Sequence, residues 1–344
     1  MKPLVEVLTT TAAWFKERGI PSARLDAELL IGHVLGLDRV KVYLSYDRPL
    51  TDDELERLRP LVRRRGNREP LAWILGEKEF YGHDFIVTPG VLVPRPDTET
   101  LVEAALEWLS VSPPPGDKGP PHGGVKASLP WSSADAAEVS APTDVAPDAT
   151  SPDVTGPDVT SPGATSPGGV DAPAEPPIFV ADIGSGTGCI GLTLALERPA
   201  VRLFAVDRSE EALAATRANV VKHGLEKRVA VLRGDLLSAI PAARTIDWIV
   251  SNPPYIPSRD IDGLLPEVRD HEPRGALDGG PDGLDVYRAL IPAAAARARK
   301  GVLVEVGAGQ AADVAALLTA AGLPEVRIWK DLAGVERVVG GRRA

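Results

Sequence analysis

Residues 178 to 196 read as a strand, a turn and a helix in immediate succession. The apolar run Ile178-Phe179-Val180-Ala181-Asp182-Ile183 leads into Gly184-Ser185-Gly186-Thr187-Gly188, and Cys189-Ile190-Gly191-Leu192-Thr193-Leu194-Ala195-Leu196 follows with helical character. Glycines in such a turn reach φ > 0 and let a ligand approach the backbone, while the helix start offers free N–H groups. Nicotinamide, flavin and S-adenosylmethionine binders share this arrangement, as do some purely structural turns. A dinucleotide fingerprint starting at Gly184 requires glycine at position 189, where this chain has Cys189. The next strand, Val201 to Val206, ends in Asp207, placed for ribose hydroxyls of either cofactor.

Two further strands complete the pattern. Val229 to Arg233 leads to Gly234-Asp235-Leu236, and Ile246 to Ser251 ends at Asn252-Pro253-Pro254-Tyr255. In an open parallel sheet these strand ends lie along the one edge where ligands bind. The Asn252 side-chain oxygen and the Pro253 carbonyl are candidate acceptors for the two hydrogens of a planar nitrogen. The two prolines stiffen the loop and remove competing donors, and Tyr255 is expected to stack on a flat substrate face. Adenine, cytosine and glutamine all satisfy that geometry. Taken together, the set resembles a class I S-adenosylmethionine-dependent methyltransferase that modifies planar nitrogen.

Composition separates the chain into parts. Between Ser112 and Pro177 it is dominated by Pro, Gly, Ser, Thr, Ala and Asp, with Trp131 as the single aromatic residue. Such a stretch buries too little apolar surface to offset ordering costs of about 1 to 2 kcal/mol per residue, so disorder is expected. Nine acidic residues against two lysines there account for −7 of the formal −10. The remainder is close to neutral, without the broad basic surface that a duplex requires. The single cysteine excludes a disulfide framework, no apolar run approaches a membrane span, and the N-terminus has Glu6 within its apolar stretch and no cleavage-like pattern. A cytoplasmic protein without nucleic-acid or membrane partners is expected.

The front of the chain reads as a small helical bundle. Ser22 is placed to cap a helix with an apolar stripe through Leu25, Leu29, Leu30 and Val34. Thr51 is placed to cap another, with Asp52, Asp53 and Glu54 in its first turn and Leu55, Leu58 and Val62 inward. Arg63-Arg64-Arg65 and Arg68 suit the negative end of that second helix, an RNA or acidic-partner contact being the alternative. Phe80 to Val93 reads as a hairpin turning at Pro89-Gly90, followed by Pro94-Arg95-Pro96-Asp97-Thr98-Glu99 and a helix through Trp108. His83, with no partner at a supporting spacing, reads as a surface histidine.

The series Glu69-Pro70-Leu71-Ala72-Trp73-Ile74-Leu75-Gly76, Val93 to Glu99, Asp182 to Gly188 and Asn252 to Tyr255 resembles the HemK family of protein glutamine methyltransferases, with Arg95 to Glu99 favouring its release-factor branch over its ribosomal-protein branch. The resemblance covers essentially everything outside the insert. Two departures stand out: Ala72-Trp73, where the family commonly has Gln-Tyr, and the insert itself.

The resemblance implies an α/β fold: a doubly wound, Rossmann-like class I methyltransferase sheet of seven mostly parallel strands with a hairpin at its end, preceded by a helical domain and a β-hairpin. The expected division is a helical substrate-binding domain at 1–78, a hairpin and joining helix at 79–111, the disordered insert at 112–177 and the methyltransferase domain at 178–344. S-adenosylmethionine is the implied cofactor, with no metal. Gly184, Ser185, Gly186, Thr187 and Gly188 are expected to hold its methionine part, Asp207 the ribose and Asp235 with Leu236 the adenine, Asn252 lying beside it. Asn252, Pro253, Pro254 and Tyr255 are expected to hold the substrate, the glutamine of the Gly-Gly-Gln loop of class I release factors, with Asn252, Pro253 and Tyr255 as the catalytic residues. Glu305, ending the strand Val302-Leu303-Val304, is a candidate buttress.

Overall fold

Five helices open the chain: α1 (Leu4–Glu17), α2 (Ala23–Leu35), α3 (Arg39–Leu44), α4 (Asp52–Gly66) and α5 (Leu71–Leu75). The structure is a computed structural model that describes residues 2–110 and 176–344, so the expectation of disorder in the insert lies outside the described residues. Helix α4 starts with a closed capping box: the Thr51 side chain accepts from the Glu54 N–H and the Glu54 carboxylate accepts from the Thr51 N–H. Its Leu58 is buried, and Leu55 and Val62 pack at the edge of a core built from Leu4, Leu8, Phe15, Leu30, Ile31 and Val42.

The α2 expectation needs correcting in two respects. Ser22 stands at the N-cap but its side chain caps nothing, and Leu25 is exposed. The inward face runs through Asp26, Ala27, Leu30 and Ile31 because Asp26 turns into the interior, where the Arg65 guanidinium meets it at 2.7 Å.

The hairpin also differs from expectation. Strands β1 (Glu77–Phe80) and β2 (His83–Ile86) pair antiparallel around Tyr81-Gly82, not Pro89-Gly90. Both turn residues have positive φ, 53° and 75°, the requirement of a two-residue type I′ connection whose twist matches paired strands. Pro89-Gly90 does form a turn, but no strand leaves it. Phe80 and Phe85 anchor the hairpin in the main core, after which helix α6 (Glu99–Ser110) begins.

Beyond the insert the chain alternates strand and helix. Strands β3 (Ile178–Ile183), β4 (Val201–Asp207), β5 (Val229–Arg233), β6 (Ile246–Ser251) and β7 (Ala298–Glu305) run parallel, with α7 (Cys189–Glu197), α8 (Glu210–Lys222), the short α9 (Pro266–Arg269) and α10 (Asp285–Arg297) between them. Helix α11 (Ala311–Ala320) and the strands β8 (Glu325–Lys330) and β9 (Glu336–Arg342) close the domain. The order across the sheet is β5-β4-β3-β6-β7-β9-β8, with β9 antiparallel to both neighbours.

Helices α6, α7 and α8 contribute to the core on one face of the sheet, and α10 and α11 to the core on the other. Burial on both faces is why the central strands are apolar almost throughout. Because β3 to β7 are parallel, the ends that carry Gly184, Asp207, Asp235, Asn252 and Glu305 share one edge. Among the described residues no helix is long and apolar enough to cross a membrane.

Candidate active site

A cavity of about 430 Å³ lies at this edge, large enough for a nucleoside-sized ligand. Gly184, Ser185, Gly186, Thr187, Asp207, Asp235, Leu236, Asn252, Pro253 and Pro254 line it. Gly184 and Gly186 have φ of 74° and 58°, and a Cβ on either would meet nothing within 4 Å. Their backbone thus faces open space that a ligand can fill. Gly188 caps α7 at φ 82° and lies behind this surface, where a Cβ would press on Leu192 and Thr216.

The loop is held from outside by side chains the sequence reading did not single out. Thr216 on α8 donates to the Gly186 carbonyl at 2.9 Å. One turn on, fully buried Asn219 donates to the Thr187 carbonyl and exchanges two hydrogen bonds with Ile86 of β2, so one amide ties the glycine turn to the hairpin. Asp207 accepts from the N–H groups of Gly186 and Ser209, both at 2.9 Å, which orients its carboxylate at the cavity wall with lone pairs to spare. Behind the loop Asp182 is fully buried: one oxygen accepts from the Gly191 N–H and the other has no partner among the described residues. Burial, with a smaller effect from Asp207, raises its pKa to about 7.

The Asn252-to-Tyr255 loop is clamped on its far side by a glycine-rich segment. A Cβ on Gly279 would stand 2.8 Å from the Pro254 oxygen, and one on Gly283 would stand 2.3 Å from the Tyr255 oxygen. Gln310 donates to that same Tyr255 carbonyl at 2.9 Å. Tyr255, expected to stack on substrate, is not among the residues lining the cavity. Its ring packs against the apolar core and its hydroxyl donates to the buried Glu305 at 3.3 Å.

Each polar residue of the Arg95–Glu99 run reaches a different element. Arg95 pairs with the buried Glu272 at 2.6 Å, Asp97 with Arg337 of β9 at 3.1 Å, and Glu99 accepts from the Tyr81 N–H at 3.0 Å. Thr98 accepts from the Asn252 side-chain N–H at 3.2 Å and also lines the cavity. The run is thus a knot joining the hairpin, the sheet and the Asn252 loop. Glu305 sits beneath it, 1 % exposed, with its pKa pushed up to about 7 by burial against the opposing pull of Thr98, Arg337 and Tyr255.

Several side chains settle as structural. Cys189 is buried, and burial pushes its thiol up to about 12. His83 stays at the surface, 2.9 Å from Glu197. Trp73, at the position of the family departure, is buried beside Ala72, Val87 and Val93 and donates to the Val91 carbonyl. The helix-end arginines depart from expectation: Arg65 is 4 % exposed and bridges Asp26 to Glu267, and Arg68 pairs with the same Glu267. Glu267 belongs to α9, within the segment that folds back on the Asn252 loop, so these charges fasten the helical bundle to the site.

A seven-stranded sheet of this order with one antiparallel strand, and a glycine turn and strand-end acid around a nucleoside-sized cavity, define a class I S-adenosylmethionine-dependent methyltransferase. Family models match twice, the PrmC N-terminal domain over residues 6–76 and the methyltransferase small domain over residues 174–265. A release factor glutamine methyltransferase from Geobacter sulfurreducens is 38 % identical over 339 residues, 98 % of this chain and 95 % of that protein. One from Chlorobaculum tepidum is 36 % identical over 97 % of this chain and 95 % of its own length. The chain belongs to the release factor glutamine methyltransferase family. Solved structures resemble it weakly; the hMettl16 catalytic domain bound to an RNA hairpin gives a TM-score of 0.40 at 14 % identity, covering 48 % of this chain and 64 % of that one.

Proposed function

We propose that this chain methylates the side-chain amide nitrogen of the glutamine in the Gly-Gly-Gln motif of class I peptide chain release factors. One observation carries the reading at the level of chemistry: Asn252 commits its N–H to Thr98, which leaves its carbonyl oxygen, unpaired among the described residues, as an acceptor on the wall of the cavity that the glycine turn lines. Family membership supports the substrate.

When bound, S-adenosylmethionine supplies an electrophilic methyl group on sulfonium. The turn from Gly184 to Thr187, backed by Gly188, would hold its methionine part, Asp207 the ribose hydroxyls, and Asp235 with Leu236 the adenine. The Asn252 Oδ1 and the Pro253 carbonyl, which no backbone N–H among the described residues engages, would accept the two substrate amide hydrogens. That grip aims the nitrogen at the methyl carbon. Transfer would form the N–C bond as the C–S bond breaks, leaving the N-alkylated amide positively charged and strongly acidic, so that one of its protons would pass to water. Positioning of this kind contributes about 7 to 11 kcal/mol, enough to dispense with a dedicated base and a covalent enzyme intermediate. Tyr255, tied to Glu305, would hold the loop in place.

Residues 1–78 are read as the part that helps hold the release factor, 79–111 as the joint, 112–177 as a spacer and 178–344 as the catalytic part, acting in the cytoplasm. The test is transfer of labelled methyl to a purified class I release factor, to the same factor with its Gly-Gly-Gln glutamine replaced, and to nucleic acid. Label in the intact factor alone is expected; label in the replaced factor or in nucleic acid alone refutes the reading. Asn252→Ala should lower turnover far more than cofactor affinity.

A further inference from the structure

Thr98 and Glu305 lie one behind the other beneath Asn252. Thr98 is 3 % exposed, and its oxygen accepts the Asn252 N–H at 3.2 Å. A hydroxyl has a single proton, and a buried one needs an acceptor. The Glu305 carboxylate is the acceptor at hand. Its Oε1 takes the Tyr255 hydroxyl at 3.3 Å, while its buried Oε2 has no partner at regular hydrogen-bond geometry among the described residues. The Thr98 hydroxyl is near enough to stabilise the ionised carboxylate, although it falls short of a regular hydrogen bond.

We propose that Thr98 and Glu305 are positioning residues that decide which end of the Asn252 amide faces the substrate. An ionised carboxylate only accepts, so it draws the Thr98 proton toward itself. Thr98 can then only accept from Asn252, whose NH₂ must turn inward and whose carbonyl oxygen must turn outward. If Glu305 is neutral it can donate to Thr98, freeing the Thr98 proton for Asn252. The amide then rotates and presents its NH₂ to the substrate N–H groups, donor against donor. The inference rests on the reading above, in which the Asn252 oxygen grips the substrate amide.

The arrangement makes turnover depend on the charge of Glu305. The charged and titratable groups that face it are Asp97, Arg337, Tyr255, Tyr287 and the Cys189 thiol. With its pKa near 7, Glu305 loses its charge as pH falls through that value, and kcat should fall with it.

The test compares Thr98→Val, Thr98→Ser, Glu305→Gln and Asn252→Ala in the full-length enzyme, with labelled methyl transfer to a release factor and cofactor affinity measured by calorimetry. Loss of the oriented acceptor should lower kcat about 10- to 100-fold in Thr98→Val and Glu305→Gln, with cofactor affinity changed by less than about threefold, and Thr98→Ser should restore most of kcat. The fall in kcat below neutral pH should be absent in Glu305→Gln. Glu305→Gln is nearly isosteric, so the test survives a Thr98→Val that fails to fold. Near-normal kcat in Glu305→Gln or Thr98→Val, or an acid limb that persists in Glu305→Gln and so belongs to a group such as Asp182, overturns the inference while an inactive Asn252→Ala leaves the reading of the site intact. An active Asn252→Ala overturns that reading itself.

Discussion

Replacing Arg65 by methionine removes the charge at the centre of the contact between the helical bundle and the catalytic part while keeping much of the side-chain volume. The guanidinium donates to Asp26 at 2.7 Å, to Glu267 at 2.8 Å and to the Glu69 carbonyl at 3.1 Å. After substitution Glu267 keeps Arg68, and its side chain retains some solvent contact, so its share of the loss is small. The Asp26 side chain is only 5 % exposed and would have no cation beside it. Breaking a buried pair by removing one partner costs about 3 to 5 kcal/mol, and the residual pairing of Glu267 argues for the lower half of that range.

Urea unfolding, followed by tryptophan fluorescence and by circular dichroism so that coincidence of the two transitions can be checked, gives the difference directly. Adding Asp26→Asn should recover about 2 kcal/mol, because the abandoned charge is then gone. Release-factor turnover should fall in Arg65→Met, since Glu267 lies in the segment that folds back on the Asn252 loop. A loss under about 1 kcal/mol, or a double variant no more stable than the single one, refutes the view that this ion cluster fastens the two parts.

Four other outcomes are expected. Asp207→Ala should weaken cofactor binding about 10- to 100-fold by calorimetry, through loss of the proposed charge-assisted hydrogen bonds to the ribose and of its hold on the Gly186 and Ser209 N–H groups. Gly184→Ala should cost the fold only about 1 to 2 kcal/mol of left-handed strain yet block cofactor binding, whereas Gly188→Ala should cost more in thermal unfolding because its Cβ would also meet Leu192 at 2.9 Å. Glu305 has a folded-state pKa raised from 4.5 to about 7, so its ionisation opposes folding progressively as pH rises between those values; the stability of Glu305→Gln relative to the native chain should therefore grow over that window, by up to about 3 kcal/mol. Replacing residues 112–176 with a short glycine–serine linker should leave methyl transfer to the release factor within about threefold, as the composition of a spacer implies.

The elements that could be read in advance were those whose sequence signal is local. Strands β3, β4, β5 and β6 are mostly apolar runs because both faces of the sheet are covered, and their ends carry the residues that converge on the cavity. The capping box at Thr51 closes within four residues, so it was legible as well. Sequence and structure differ at the hairpin because Pro89-Gly90 is the stronger turn signal by composition, while the actual turn needs a left-handed Tyr81 that no local preference announces. Leu25 faces outward because a distant charge, Arg65, draws the neighbouring Asp26 inward.

By itself the sequence determined the class of fold, the glycine turn, the strand-end acids and the amide-proline loop, since each depends on backbone conformation and on residues adjacent in the chain. How the surrounding residues meet that loop was decided only by the tertiary structure. Thr98, Glu305, Asn219 and the glycines at 279 and 283 reach the site from far along the chain, and each acts by filling a hydrogen bond or by lacking a Cβ where another segment passes. Such complementarity has no period and no fixed spacing. It exists only once packing has brought the partners within about 3 Å, the distance at which a hydrogen bond or a steric limit takes effect.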